Sequence, residues 1–161
     1  MKHTVKGDSG LQNRGELSRE SIDKLLNGQA YGRLASADGD QPYIVPVTYA
    51  YDGKYIYGQT NEGTKLELLR KNPKVCFETD VMTGMHDWQG VVIQGKFEEL
   101  KGKEAEKARE ILFIKVFPLM PNNMIHSFEH EVTTELDDST RVKSTMYRIV
   151  IKSISGRFQK Q

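Results

Sequence analysis

The sequence predicts a mainly β protein, an antiparallel barrel of about six strands with two to three helices around it. Two observations favour this class. Short runs of β-branched and aromatic residues follow one another closely, and tight turns such as Asp38-Gly39-Asp40 and Asp52-Gly53 separate them. Turns of this length cannot carry the long crossover that parallel strands need, so neighbouring strands are expected to be antiparallel.

Six segments have strand composition or alternation. They are Gly32–Ala37, Tyr43–Tyr51, Tyr55–Gln59, Val75–Asp80, Trp88–Leu100 and Met146–Ile154. Pro46 lacks an N–H donor, so its strand is expected at a sheet edge or a bulge. Gly95 is expected to mark a bulge or a close approach of two backbones. Val81–Asp87 has no periodicity and is expected to be irregular.

Three segments carry apolar residues at helical spacing, and each is followed by a glycine or a proline. The first begins after Ser18, a good N-cap residue, and stops at Gly28. The other two are Gly63–Lys71 and Lys103–Val116. We expect the first helix to cover one end of the barrel.

Length and composition indicate one globular domain over residues 1–161, with a loose, glycine-rich arm at 1–15. A formal net charge of +1 argues against nucleic acid as a partner. No run approaches the ~18 apolar residues that would span a bilayer. The single cysteine, Cys76, excludes an internal disulfide, is expected to pack as a small hydrophobe and fits a reducing compartment. We therefore expect a soluble, cytoplasmic protein.

The polar segment Pro121–Ser144 is expected to be a long loop or weak hairpin. It contains His126-Ser127-Phe128-Glu129-His130, which matches the H-x-x-E-H pattern of inverted zinc proteases. The segment lacks a clear helical pattern that would place both histidines on one face. We interpret these histidines as solvated loop residues and predict no metal site.

The turn after the third strand, Tyr57–Lys65, has the composition of an anion site. A strand that leads through a glycine-bearing turn into a helix presents free backbone N–H groups, and Thr60, Thr64 and Lys65 add further donors. The alternative is a plain strand-to-helix turn with Thr64 near the N-cap. Trp88 is a second candidate, because it could pack in the core or flank an aromatic ligand.

Taken in order, several segments resemble one family. They are Tyr31–Ser36, Pro42–Tyr49, Ile56–Thr60, Gly63–Lys65, Asn72–Phe77, Val91–Lys96, Tyr147–Ile149 and Ser155–Arg157. Together they are similar to the flavin-nucleotide-binding, nitroimidazole-resistance-related branch of the pyridoxamine 5′-phosphate oxidase-like proteins. The resemblance covers most of the chain.

This resemblance implies an antiparallel six-stranded split β-barrel that binds FMN as a homodimer, with the flavin sites at the subunit interface. It places the flavin ring along the backbone of Val45, Pro46, Val47 and Thr48. It places the phosphate near Thr60, Thr64 and Lys65. The partner's strand Trp88–Ile93, with Trp88 and Val92, would close the site.

Gln59 is included in the implied site, but many relatives carry a histidine at this position. A family role that needs an imidazole there is therefore not expected in this chain. Thr64 also stands where a basic residue is common, which could weaken phosphate binding. No side chain is identified as a catalytic acid or base.

The function implied by the resemblance is an FMN-dependent oxidoreductase that reduces a small electron-poor compound, such as a nitro-aromatic, at the expense of a reduced nicotinamide. Two alternatives remain open. One is a flavin-binding or sensing module without turnover, and the other is a haem-binding split barrel that would use His126 or His130. Oxidation of pyridoxamine phosphate is disfavoured, because no basic cluster for the substrate phosphate is found.

Overall fold

Antiparallel strands in a single sheet dominate the computed structural model, which describes residues 13–119 and 144–161. The strands are β1 Arg14–Glu16, β2 Tyr31–Asp38, β3 Gln41–Thr48, β4 Ala50–Tyr51, β5 Tyr55–Thr60, β6 Lys74–Gly84, β7 Asp87–Glu99 and β8 Thr145–Gln159. The helices are α1 Arg19–Gly28, α2 Thr64–Lys71 and α3 Gly102–Val116, and a 3₁₀ turn, Phe117–Leu119, follows α3. Of the helices in these described ranges, none is long and apolar enough to cross a membrane.

The sheet closes on itself through one residue. Its strand order is β3-β2-β6-β7-β8-β5-β4, and β1 pairs with the end of β8. The strands at the two ends of this order, β3 and β4, are separated in the chain by Tyr49 alone. Because one residue spans less than 4 Å, the two ends of the sheet must lie side by side. The result is a split barrel, and the predicted fold class is confirmed.

Alternate side chains of the strands point inward and fill the barrel. Leu34 in β2, Phe77 in β6 and Ile93 in β7 are 2% exposed or less and face the interior. Helix α1 covers one end of the barrel by inserting Leu25 and Leu26 into the same core, as expected. Its start is capped by the Ser18 hydroxyl, which accepts a hydrogen bond from the backbone N–H of Ser21 at 3.2 Å.

A second core lies outside the barrel, between α3 and the outer face of β4, β5 and β8. Ala108 and Leu112 of α3 are buried against Ala50, Tyr57 and Met146. The small side chains of α3 let its backbone approach the sheet closely. Of the helices in the described ranges, none covers the opposite outer face, which is formed by β3, β2, β6 and β7.

Two expectations about local geometry are confirmed. The pairing of β7 with β8 changes register between Gln94 and Gly95, which is the predicted bulge. A Cβ atom at Gly95 would lie 2.6 Å from the Val150 carbonyl oxygen, so the position requires glycine. Pro46 lies in β3, the edge strand of the sheet, where a missing N–H donor costs no ladder hydrogen bond.

Four boundaries differ from the prediction. The stretch Val81–Asp87 is largely strand, because β6 continues to Gly84 and forms a tight hairpin with β7. The last strand extends beyond Ile154 to Gln159, since it pairs with β7 along its length. The second strand is divided at Tyr49, and β1 begins inside the segment expected to be a loose arm. In each case, backbone pairing between strands decides a boundary that local composition does not indicate. Pro121–Lys143, with the predicted loop and the histidine motif, lies outside the described residues.

The hydrogen bond of the buried Tyr49 phenol is expected to stabilise the fold. The Tyr49 ring is fully buried, its phenol donates to the Leu26 carbonyl at 2.7 Å, and burial raises the pKa of the phenol to about 12. Tyr49→Phe leaves that carbonyl near the end of α1 without this donor, and we expect the free energy of unfolding to fall by about 1–2 kcal/mol. Denaturant unfolding measures the change, with Tyr43→Phe as control because the Tyr43 hydroxyl makes no hydrogen bond within the described residues. Equal effects of the two substitutions would contradict the assigned role.

Candidate ligand-binding site

A pocket of about 480 Å³ lies where the two ends of the sheet meet. Tyr43 of β3 forms one wall, and the chain from Gln59 to Lys65, which leads from β5 into α2, forms the rest. Much of this volume is open to solvent, so the site is a shallow groove and not an enclosed cavity. Among the described strands β3 pairs only with β2, so the backbone groups on its other edge have no strand partner there and are available to a ligand.

The start of α2 is open toward this pocket. Its N-cap is Gly63, with φ at 155°, a backbone conformation that favours glycine, and no side chain caps the first turn. The first N–H groups of a helix have no acceptor within the helix, and they carry the positive end of the helix dipole. Thr60 and Thr64 lie on the same pocket wall, and the Thr60 hydroxyl donates to the Asn61 carbonyl at 3.3 Å. These donors suit an anionic group.

Lys65 adds a positive charge to the pocket. Its side chain is half-buried, and burial lowers the pKa of its ammonium group, because desolvation disfavours the charged form. Within residues 13–119 and 144–161, no carboxylate lies within ion-pair distance of this ammonium group. A partly buried cation without a counter-ion carries a desolvation cost that a bound anion would offset.

Glu62 is the acidic residue of the pocket wall, and its charge is already matched. Arg70 of α2 binds the carboxylate of Glu62 through two hydrogen bonds of 3.1 Å. The same guanidinium contacts Glu99 at the end of β7, at 2.8 and 2.9 Å. Glu62 is therefore held by a cation other than Lys65, and Lys65 stays free for a ligand.

Gln59, which lines the pocket, has a side-chain oxygen without a hydrogen-bond partner in the described part of the chain. The side-chain oxygen Oε1 of Gln59 is buried and accepts no hydrogen bond, and the hydroxyl of Ser144, at the start of the neighbouring strand β8, is likewise unsatisfied. Buried polar atoms in native proteins are nearly always paired. A ligand that donates an N–H or O–H group toward Gln59 would satisfy this oxygen.

The ten predicted site residues fall into three groups. Four of them, Gln59, Thr60, Thr64 and Lys65, line the pocket together. Val45 and Val47 point into the barrel core, so only their backbone is available at the sheet edge. The other four, Pro46, Thr48, Trp88 and Val92, have side chains on the outer face of the sheet.

That outer face is apolar over much of its area. Strand register places Tyr31, Ile44, Met82 and Val92 on the same side, and their exposed fractions are 52, 66, 60 and 39%. The ion pairs that Arg33 makes with Glu78 and Asp80 lie among them. Several large exposed hydrophobic residues on one sheet face mark a surface for contact with another molecule.

Other candidate groups are accounted for by local contacts. The Trp88 indole N–H donates to the side-chain oxygen of Gln159 at 3.3 Å. Cys76 is partly buried on the outer face, and burial raises the pKa of its thiol, as expected for an unreactive cysteine. In the described ranges, no group of three or more histidine, cysteine, aspartate or glutamate residues could hold a metal ion.

Four pocket residues were not among the predicted site residues: Tyr43, Asn61, Glu62 and Gly63. Glu62 lies inside the predicted anion turn, but its contact with Arg70 depends on the fold. Tyr43 reaches the pocket only because the barrel closes and brings β3 to the end of β5. The alternation of β3 predicts that Tyr43 shares the inner face with Val45 and Val47, which is the one signal in the sequence that could have found it.

A curled antiparallel sheet closed through a single residue, with a pocket at the closure and helices at its margins, defines the split-barrel class of ligand-binding domains. The sequence places the chain within that class. Residues 18–158 match the pyridoxamine 5′-phosphate oxidase family, and the chain belongs to this family.

Comparison with individual proteins agrees with this assignment. An FAD-binding protein from Mesorhizobium loti has a similar structure, with a TM-score of 0.72 and 27% identity over 92% of this chain and 98% of that one. A candidate 5-nitroimidazole antibiotic resistance protein from Bacteroides thetaiotaomicron shares the fold, with a TM-score of 0.65 and 16% identity over 90% of this chain and 87% of that one. An uncharacterised protein from Rhizobium meliloti is 37% identical over 84 residues, which is 52% of this chain and 56% of that relative. The chain thus spans little more than half of that relative's length.

The desolvation cost of the charged Lys65 side chain leads to a prediction about stability. The pKa of Lys65 is lower in the folded than in the unfolded protein. At a pH below the folded-state pKa, the charged side chain therefore disfavours folding. This cost is relieved as the pH rises from the folded-state pKa toward the ordinary lysine pKa. We therefore expect Lys65→Met to raise the free energy of unfolding of the ligand-free protein at neutral pH. Chemical denaturation measures it, with Lys71→Met as control because that side chain is 80% exposed on the same helix. A loss of stability specific to Lys65→Met would contradict the unpaired charge.

Proposed function

We propose that this protein binds FMN in the pocket at the barrel closure. The observation that carries the proposal is a half-buried Lys65 beside the start of α2, where the described residues provide neither a carboxylate for Lys65 nor a side-chain cap for the helix. This combination suits a phosphate group. The phosphate would be held by Lys65, by the hydroxyls of Thr60 and Thr64 and by the first N–H groups of α2. Membership of the pyridoxamine 5′-phosphate oxidase family and the similarity to an FAD-binding protein support a flavin as the occupant.

The flavin ring would lie along the free edge of β3, beside Val45, Pro46, Val47 and Thr48. The open edge of this strand offers backbone donors and acceptors to a flat heterocycle, and Pro46 removes one donor from that row. The unsatisfied oxygen of Gln59 would accept an N–H group of the occupant. The pocket holds a single lysine, which favours FMN with its one phosphate over FAD, and competition between the two flavins tests this preference.

The proposed assembly is a homodimer that shares its flavin sites. The apolar outer face formed by β3, β2, β6 and β7 would meet the same face of a second copy, and the partner's Trp88 and Val92 would close the site. The exposed residues Tyr31, Ile44 and Met82 on this face support the proposal, since a second copy would bury them.

The proposed activity is that of an oxidoreductase acting on a small electron-poor substrate, such as a nitro-aromatic compound, with a reduced nicotinamide as donor. The flavin would supply the electron transfer, and the protein would supply binding, orientation and exclusion of water. In the pocket wall, Glu62 is ion-paired and Lys65 is assigned to the phosphate, so neither is proposed as an acid or base. Turnover by the flavin-loaded protein separates this activity from a flavin-binding module without catalysis.

Lys65→Met should weaken FMN binding on the order of tenfold, because it removes a charge-assisted contact worth about 1.5 kcal/mol or more. Riboflavin, which lacks the phosphate, should bind both proteins equally. Quenching of flavin fluorescence during titration measures the four dissociation constants, and Lys71→Met is the matched control. FMN binding that is unchanged in Lys65→Met would exclude the proposed phosphate site, and absence of FMN binding by the unmodified protein would overturn the function.

Val92→Arg should convert the dimer to a monomer, because it places a cation in the centre of the proposed apolar interface. Sedimentation velocity measures the oligomeric state, and FMN titration of the same sample should show weaker binding if the partner completes the site. Ile114→Arg is the control, since this side chain is 65% exposed on α3, away from that face. A Val92→Arg protein that stays dimeric would place the interface elsewhere.

A further inference from the structure

The pocket wall contains an acidic side chain in a position that should oppose phosphate binding. Glu62 lines the same pocket as Lys65, three positions away in the chain. A carboxylate beside a bound phosphate would repel it. The position of Glu62 therefore needs an explanation if the pocket accepts phosphorylated ligands.

Arg70 supplies that explanation. It lies in the last turn of α2, and its guanidinium forms a bidentate contact with Glu62, at 3.1 Å for each pair of atoms. On its other side it binds both carboxylate oxygens of Glu99, at 2.8 and 2.9 Å. Glu99 ends β7 and is only 24% exposed, so it anchors the guanidinium to the barrel wall.

The geometry of this cluster restricts the movement of Glu62. A planar guanidinium that binds two carboxylates in a bidentate manner fixes both in direction, which a lysine could not do. The Glu62 carboxylate points to Arg70, and its charge is offset there. Arg70 itself does not line the pocket.

We propose that Arg70 is a positioning residue that holds the Glu62 carboxylate away from a bound phosphate, so that the affinity for phosphorylated ligands depends on Arg70 without direct contact. This inference rests on the proposed phosphate site. At that site, Arg70 affects the affinity for phosphate entirely through Glu62.

A double-mutant cycle tests this statement. The proteins are the unmodified chain, Arg70→Gln, Glu62→Gln and the double variant, each titrated with FMN and with riboflavin. Arg70→Gln should weaken FMN binding by about fivefold at low salt, because the freed Glu62 carboxylate repels the phosphate. The loss should be smaller at high salt, which screens this repulsion. Riboflavin binding should not change, and the FMN affinity of Glu62→Gln serves as the reference for the double variant. The double variant should regain the FMN affinity of Glu62→Gln.

Two controls separate positioning from general damage. Arg148→Gln removes a partly buried ion pair, with Glu98 at 2.8 Å, outside the pocket lining, and should leave both affinities unchanged. Arg70→Lys keeps the charge without the bidentate geometry, and its FMN affinity should fall between those of the unmodified protein and Arg70→Gln. It also provides the comparison if Arg70→Gln fails to fold.

The outcomes that overturn the proposal are distinct from one another. If the double variant binds FMN as weakly as Arg70→Gln, Arg70 contacts the phosphate directly and the inference is wrong. If FMN and riboflavin weaken equally, Arg70 has only a structural role. If the unmodified protein binds neither FMN nor FAD, the proposed function itself fails, whereas failure of the cycle in a protein that binds FMN rejects only the role of Arg70.

Discussion

Closure of the sheet through Tyr49 is the constraint on which the rest of the structure depends. If the sheet were flat, the six spacings between β3 and β4 would separate these strands by roughly 29 Å. One residue joins them, so the sheet must curl until its ends meet. Three contacts hold Tyr49 in place. Its amide donates to the Ala30 carbonyl at 3.0 Å, its phenol donates to a carbonyl near the end of α1, and its ring packs edge-on against Phe77. The same residue thus closes the barrel and attaches the helix that covers it.

The candidate site follows from this closure. Since β3 and β5 meet without forming a ladder, the barrel keeps an open edge and a pocket at one place. Tyr43 and Lys65, separated by more than twenty positions in the chain, reach the same pocket for this reason. Helix α2 can begin there without a side-chain cap because the pocket leaves its first N–H groups accessible. A fully closed barrel would have paired the edge of β3 and removed these donors from use.

Local sequence signals predicted most of the fold and about half of the site. Turn residues, the position of Pro46 and the bulge at Gly95 are properties of short segments, and each could be predicted correctly. The continuation of β6 to Gly84 could not, because Met82 and its neighbours follow no apolar alternation and depend on pairing with β7. The contact of Arg70 with Glu99 joins α2 to a distant strand, and composition contains no signal for it. The turn around Thr64 and Lys65 was identifiable because one continuous segment supplies its chemistry.

Two features of the single chain carry an unfavourable free energy that the contacts in its described ranges do not offset. Lys65 and the Gln59 oxygen lack partners within the described residues, and the outer face exposes Val92 and Ile44 to water. An occupant of the pocket would relieve the first cost and a second copy would relieve the other. If Trp88 and Val92 of the partner close the pocket, as proposed, the two binding events are linked thermodynamically. The ligand must then strengthen the dimer by the same factor by which dimerisation strengthens ligand binding, because the coupling free energy between two binding equilibria is reciprocal.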